Sequence, residues 1–356
     1  RWMTLNALEI IAQLEKFTNL TKPANYTTLQ DEIYALQQGA VVSVDPYVKS
    51  TLPRPLMTNQ QLDNLPFQDL ELYDIWRYHN PKLVVKQHPG LQFETSRGCP
   101  YECDFCSAED EYRVLSPDRV IEEMKYYQRY GIKTIRISDD QFLTNVRRGE
   151  IIAEKMLQAG LRFHLNLGNG VRADRCTRKF LELFKRAGLY ETGAGFESGD
   201  QATLDSMRKS LDMEKSLAIM EVFREVGIAV VGFFIFGAEK ETLQSMQRTI
   251  DFAKALNPDF AKVTIYTPFP DTQAYMRWKR AGRIVSERWD LYNIHKAAGV
   301  YRHPNPELTP EVLTEWYRKF YRDFYRRPGY LFRQGTKSIR DGSVLWKVPT
   351  ALQTFF

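Results

Sequence analysis

The chain has 356 residues, of which 43% are apolar and 26% charged, and its net charge is +5. That length buries a sizeable core in one large domain or two to three ordinary ones. The composition excludes a membrane span, which needs roughly 20 consecutive apolar residues, and four cysteines exclude a disulfide framework; the 49 basic residues are scattered among 44 acidic ones and leave no nucleic-acid footprint.

The N-terminal stretch RWMTLNALEIIAQLEKF lacks the long apolar core of a secretory signal, because Glu9, Gln13 and Glu15 interrupt it, so a cytoplasmic location is the default expectation. Helical patterns over residues 5 to 17 and 28 to 38 precede the apolar run AVVSV. The stretch PRPLMTNQQLDNLPFQDLELYDI, rich in Pro, Asn and Asp, then reads as an extended linker. Residues 1 to 90 are therefore expected to be a helical segment and linker. The first residue is Arg1 rather than Met, as in a fragment, a processed form or a tagged product.

From residue 91 short apolar runs alternate with amphipathic runs of helix length, the pattern of a parallel sheet wrapped by helices. The expected strands are LQFET (91 to 95), TIRISD (134 to 139), FHLNLG (163 to 168), YETGAGFE (190 to 197), AVVGFFIFG (229 to 237) and FAKVTIYTP (260 to 268). Ser116 and Pro117 supply a helix cap followed by Pro at the first helical position, and a glycine closes each of the first four helical segments. A complete (β/α)8 barrel takes eight strands and about 250 residues. The expected fold is thus α/β, a partial (β/α)6 barrel over residues 91 to 290, with its chemistry at the carboxyl ends of the strands.

Residues 291 to 356 are expected to be a helical extension, entered through HPNPELTPEVL with its three prolines. The densest basic run, WYRKFYRDFYRRPGYLFRQ (316 to 334), reads as an amphipathic helix that packs its aromatics and solvates its arginines. A surface for an anionic substrate or partner is the alternative.

Cys99, Cys103 and Cys106 form C-x3-C-x2-C just after the first expected strand. Three thiolates on one loop can hold three irons of a 4Fe-4S cluster, whose usual full set is four. One iron is then open to an exogenous ligand. A structural zinc site takes four protein ligands, and His88 lies eleven residues upstream of Cys99, across the strand; Cys176 is the distal alternative for a fourth ligand.

With Phe105 ahead of the last Cys and the loop placed after the first barrel strand, this segment resembles the radical S-adenosylmethionine (radical SAM) superfamily over residues 91 to 290. The resemblance implies that the amino and carboxylate groups of SAM chelate the open iron. Electron transfer then cleaves the sulfonium bond, giving methionine and a 5′-deoxyadenosyl radical that abstracts hydrogen from the substrate. It implies cofactor contacts from Phe105 in the loop and from Asp139 or Asp140 in SDDQF, where a carboxylate suits an ammonium; a helix cap is the other use for one of these two. In LGNGVRAD, Asn166 and Arg172 are candidates, the arginine for the carboxylate of SAM, while Asn169 reads as a turn residue. Glu197 and Ser198 in GFESG resemble ribose and methionine contacts. Gly232 and Gly237 in GFFIFGAEKET resemble glycines that let the backbone approach the adenine. Asp271 in YTPFPDTQAY stands where relatives often have Gly.

LPFQDLELYDI, SDDQF, GFESG and TPFPDT together resemble the branch that carries a cobalamin-binding domain ahead of the barrel, many of whose members are methyltransferases. A doubly wound cobalamin domain typically exceeds about 100 residues, whereas 98 residues precede Cys99 and much of that reads as linker. No complete cobalamin domain is expected in this chain. The expected function is a radical SAM methyltransferase using a 4Fe-4S cluster and SAM, with cobalamin compatible. The alternatives are a cyclase or epimerase without cobalamin, or a non-catalytic iron-sulfur protein. The expected partners are a small-molecule or peptide substrate and an external reductant such as flavodoxin or ferredoxin.

Overall fold

The computed structural model describes residues 56–72, 74–78, 85–295 and 299–340, all within one compact unit, Arg54–Phe356. The helical patterns at residues 5 to 17 and 28 to 38 and the run AVVSV lie outside the described residues. Six parallel strands form one sheet in chain order: β1 (Gly90–Phe93), β2 (Thr134–Ile137), β3 (His164–Val171), β4 (Leu189–Glu197), β5 (Ala229–Phe236) and β6 (Phe260–Ile265). Each expected strand is present. The third runs three residues further than expected, because Gly170 takes a left-handed conformation (φ +98) and a register shift carries the strand on to Val171.

The helices α1 (Pro117–Arg129), α2 (Val146–Gln158), α3 (Arg178–Arg186), α4 (Met213–Val226), α5 (Leu243–Leu256) and α6 (Gln273–Arg280) follow the strands in turn. Ser116 caps α1 by accepting a hydrogen bond from the Arg119 N–H at 3.2 Å, with Pro117 in the first turn. The glycines closing the first four segments, Gly131, Gly160, Gly188 and Gly227, all have positive φ.

The two faces of the sheet differ. On β5, Val230, Gly232, Phe234 and Phe236 are buried, while Ala229, Val231, Phe233 and Ile235 alternate with them and are partly exposed. Phe234 and Phe236 pack on Phe320 of the C-terminal extension, so the alternate set faces the concave side of the partial barrel. The dry core lies between sheet and helices, and the concave face stays half-open.

The stretch read as an extended linker is partly structured. Thr58 makes a capping box on a short helix (Asn59–Asp63), and Leu62, Leu70 and Ile75 are buried in the main core. Here three apolar side chains outweigh the loop-forming composition around them. The expected single C-terminal helix is two, α7 (Pro310–Tyr325) and α8 (Pro328–Arg340), broken at Pro328.

The basic, aromatic run does pack its aromatics, but part of its charge is used rather than solvated. Arg327 and Arg333 donate to the carbonyls of Lys254, Asn257 and Pro258 at the C-terminal end of α5, where cations suit the helix dipole. Along the exposed edge of β6, the Tyr325 hydroxyl accepts from the Ala261 N–H (3.0 Å) and donates to its carbonyl (2.9 Å), and Tyr321 does the same for Val263 (3.3 Å each). Two hydroxyls thus occupy a sheet edge that would otherwise offer itself for pairing. Changing either tyrosine to Phe leaves one N–H and one C=O unpaired, and each is expected to lower unfolding free energy in urea by about 1–2 kcal/mol.

Candidate functional site

The cysteine loop leaves β1, returns through a two-residue antiparallel bridge (Ser96–Arg97 with Arg113–Val114) and enters α1. Acidic side chains pin it. Asp139, just past β2, is buried and accepts from the Thr95 N–H (2.6 Å), the Thr95 hydroxyl (2.7 Å) and the Ser96 hydroxyl (2.5 Å). Burial still pushes its carboxyl upward against these hydrogen bonds. Asp140 is exposed, accepts from the Gly98 N–H at 2.9 Å, and lines a cavity of about 440 Å³ with Glu94, Arg97, Glu109 and Arg113. Of the two aspartates, Asp139 is consumed in the frame and Asp140 faces the loop.

Asp104, between two of the cysteines, is fully buried. Its carboxylate accepts from the Tyr266 hydroxyl (3.0 Å) and from Arg277 (2.6 Å), which also reaches Glu239 (2.6 Å). Its backbone N–H donates to the Met207 carbonyl and its carbonyl accepts from the Ala274 N–H. The loop is thereby tied to α6 and to the exit of β5. Phe105 beside it packs its ring edge-on to Tyr266, centroids 6.4 Å apart.

All three loop thiols are free, with Cys99 and Cys103 part-buried and Cys106 exposed. Burial pushes the Cys103 thiol up to about 11; Lys209 pulls it down, while Glu197 and the two other thiols push it up. Burial likewise raises Cys99, with Cys106 and Asp140 adding to the rise and Lys209 opposing it. These influences bring the thiols, Asp140, Glu197 and Lys209 into one electrostatic neighbourhood. Among the described residues no three His, Cys, Asp or Glu side chains converge on a single metal position. A four-iron cluster asks for no such convergence, since each thiolate takes a different iron.

Lys209 was not among the residues expected from sequence. It is 8% exposed and pairs with Glu197 at 2.8 Å. Burial works against its ammonium, but Glu197 and Cys103 outweigh that and hold it protonated. Glu197 ends β4 at φ +60, a left-handed conformation costing roughly 1–2 kcal/mol for a residue with a Cβ. Such strain is concentrated at functional sites. The adjacent Gly195 is required here, because a Cβ on it would stand 2.5 Å from Glu197 Oε1 and 3.1 Å from Lys209 Nζ.

Arg172 sits at the same end of the barrel, stacked on Tyr101 with its guanidinium 4.4 Å from the ring centre. It is engaged by Asp174 (2.8 and 3.2 Å) and by the Ser210 carbonyl, and like Lys209 it lies within electrostatic reach of the Cys103 thiol. The remaining expected residues have partners of their own. Asn166 is in the amino-terminal half of β3, donating to Glu191 at 2.8 Å. Ser198 is fully buried, its hydroxyl 3.0 Å from Thr249 and accepting from the Asp200 N–H. Gly232 lies mid-strand, where a Cβ would meet Phe234 and Pro258. Gly237 does mark the exit of β5 at φ +90, its N–H donating to buried Glu241 at 3.3 Å. Asn169 belongs to β3 and donates to the Ser138 carbonyl at 2.6 Å. Asp271 adopts φ +68, the conformation a glycine would take, which Asp tolerates.

Two outcomes follow. Asp104→Ala leaves the Tyr266 hydroxyl without its acceptor and Arg277 with Glu239 alone, and is expected to cost about 1–3 kcal/mol in urea unfolding. Burial raises the Glu241 carboxyl to about 8 against an ordinary value near 4.5. Its contribution is complete below the ordinary value and is lost as pH rises through the folded one. Wild-type stability should therefore fall between about pH 5 and pH 8, and Glu241→Gln should flatten that slope.

Residues 93–253 match the family model described as the radical SAM superfamily. An uncharacterized methyltransferase of Pyrococcus horikoshii is 30% identical over 253 residues, covering 69% of this chain and 52% of its own length. The hopanoid C-3 methylase of Methylococcus capsulatus is 26% identical over 261 residues, covering 72% of this chain and 48% of its own. The structure of the radical S-adenosylmethionine methyltransferase TsrM from Kitasatospora setae, with tryptophan substrate and a SAM analog bound, has a TM-score of 0.54 at 15% identity over 67% of this chain and 52% of that one. That likeness is one of fold. The chain spans about half the length of the curated relatives it matches. The match covers the cysteine loop and the strands that surround it, and residues 93–253 are accordingly a radical SAM domain.

Proposed function

We propose that the chain is a methyltransferase that reductively cleaves SAM at a 4Fe-4S cluster held by Cys99, Cys103 and Cys106. The observation that carries this reading is the placement of three free thiols, part-buried or exposed, beside the buried Lys209 and Glu197 at the carboxyl end of the sheet. When bound, the cluster supplies one electron and an open iron for SAM, and SAM supplies the radical.

The protein's own groups then have separable tasks. The buried Lys209 ammonium offsets anionic charge next to the thiols, and its N–H donors beyond the one used by Glu197 suit a carboxylate. Asp140, exposed and held through the Gly98 N–H, suits an ammonium. Glu197 suits the hydroxyls of a ribose, and the left-handed Gly237 leaves backbone open to a flat base. Asp104, Asp139 and Ser198 touch none of these ligands; they hold the frame. Methyl transfer is favoured over ring formation by the names of two relatives, and cobalamin is the methyl carrier that this reading calls for. A flavodoxin- or ferredoxin-type reductant supplies the electron.

The test is anaerobic reconstitution with iron and sulfide, then dithionite and SAM, with product analysis. Release of 5′-deoxyadenosine or S-adenosylhomocysteine is expected from wild type. Cys99→Ala, Cys103→Ala and Cys106→Ala should release neither, while Cys176→Ala builds the cluster and reacts. Lys209→Gln should weaken SAM binding by about 30-fold, equivalent to about 2 kcal/mol. A fully loaded cluster that yields neither product, or a colourless protein holding zinc, contradicts the reading.

A further inference from the structure

The concave face of the barrel carries a cation that the cleavage of SAM does not use. Arg136 is the third residue of β2, and its neighbours Ile135 and Ile137 are buried against the helices, so its side chain belongs to the concave side. It stands in register with Asn166 of β3, which is in turn in register with Glu191 of β4. The Arg136 Nε is buried and has no hydrogen-bond partner, and its guanidinium makes no ion pair with a described residue. Next to it the Asn166 side chain, 5% exposed, spends its amide N–H groups on Glu191 and the Tyr190 hydroxyl and leaves its Oδ1 buried without a donor.

A buried donor and a buried acceptor side by side, neither satisfied, are costly for the fold alone. A part-buried guanidinium with no counter-charge adds further cost. The backbone has been cleared to admit it: a Cβ on Gly168 would lie 2.1 Å from the Arg136 Nε, so the guanidinium rests across a bare strand.

The clearing continues toward the thiols. Gly170 and Gly193 sit under the Phe233 ring, where a Cβ would stand 3.3 and 2.5 Å from it, and Gly195 lies under Glu197 and Lys209. Glycines of β3 and β4 thus let Arg136, Phe233, Glu197 and Lys209 lie close against the sheet, and these side chains form the surface of a strip that runs from Arg136 to the proposed site of cleavage.

We propose that this strip holds the substrate, and that Arg136 anchors an oxyanion at its far end, a carboxylate or phosphate with an O–H or N–H donor beside it for the Asn166 Oδ1. The substrate is then an elongated molecule with an apolar body and one anionic end, its opposite end presented beneath the thiols. The assignment of the strip to the substrate rests on the function proposed above; the oxyanion site does not.

The site is tested with simple probes on the cluster-loaded chain, without SAM or reductant. Isothermal titration with inorganic phosphate, lactate and acetate should show an Arg136-dependent site of about millimolar affinity, separate from any binding at the open iron and Lys209, with phosphate and lactate, which carry a donor, tighter there than acetate. Arg136→Gln should weaken phosphate at least tenfold, Arg136→Lys less, and Lys209→Gln should leave it unchanged. Gly168→Ala, which keeps the cation but displaces it, should also lose binding. Phosphate binding equally well to Arg136→Gln, or lost instead in Lys209→Gln, overturns the proposal, and neither result bears on whether 5′-deoxyadenosine is released.

Discussion

The mouth of this barrel depends on how one loop is pinned, and carboxylates pin it. Residues 94 to 112 carry three free thiols and little regular structure, so nothing in the loop itself fixes where those thiols stand. Asp139 holds its start by accepting from Thr95 and Ser96, Asp140 holds Gly98, and Asp104 ties its middle to Tyr266, Arg277 and, through Arg277, Glu239. Two of these ties cross to the exit of β2, and the third reaches the exit of β6, α6 and, through Arg277, the exit of β5. The position of the thiols relative to Glu197 and Lys209 is therefore set by the sheet as a whole. Removing a buried charged partner from such a network costs more than the pair adds to stability, since the group left behind remains desolvated.

The fold was legible because the strand and helix periods differ. Runs such as AVVGFFIF are continuously apolar over a length too short for a helix, and glycine stops mark where the first four helices end. What escaped was the tertiary use of polar residues. The run from 316 to 334 read as a helix that packs its aromatics and solvates its arginines, yet Arg327 and Arg333 close the end of α5, and Tyr321 and Tyr325 occupy the edge of β6. Nothing in the local pattern names those acceptors. The stretch before the barrel read as linker by composition, and Leu62, Leu70 and Ile75 bury there all the same.

The site was legible in part for the same reason. Three cysteines within eight positions need no tertiary context to stand out. Glu197 was conspicuous as a charge at the end of an apolar strand. Lys209 was not, because RKS after a short helix has the composition of any exposed turn; the buried Met207 and Leu211 on either side were the signal that the chain turns inward there. Ser198 and Gly232 are placed differently. Both sit in segments that resemble ligand-binding ones, but the Ser198 hydroxyl is occupied by Thr249 and Asp200, and Gly232 lies mid-strand where close packing alone explains it.

The central claim is that three thiols, and not four, leave one iron for SAM. The most direct measurement is the electron paramagnetic resonance spectrum of the reconstituted and reduced chain, recorded with and without SAM alongside iron and sulfide analysis. Four irons and four sulfides per chain, with a cluster signal that changes on adding SAM, is the predicted result. A cluster signal indifferent to SAM, or a single zinc per chain in place of iron, would contradict the account.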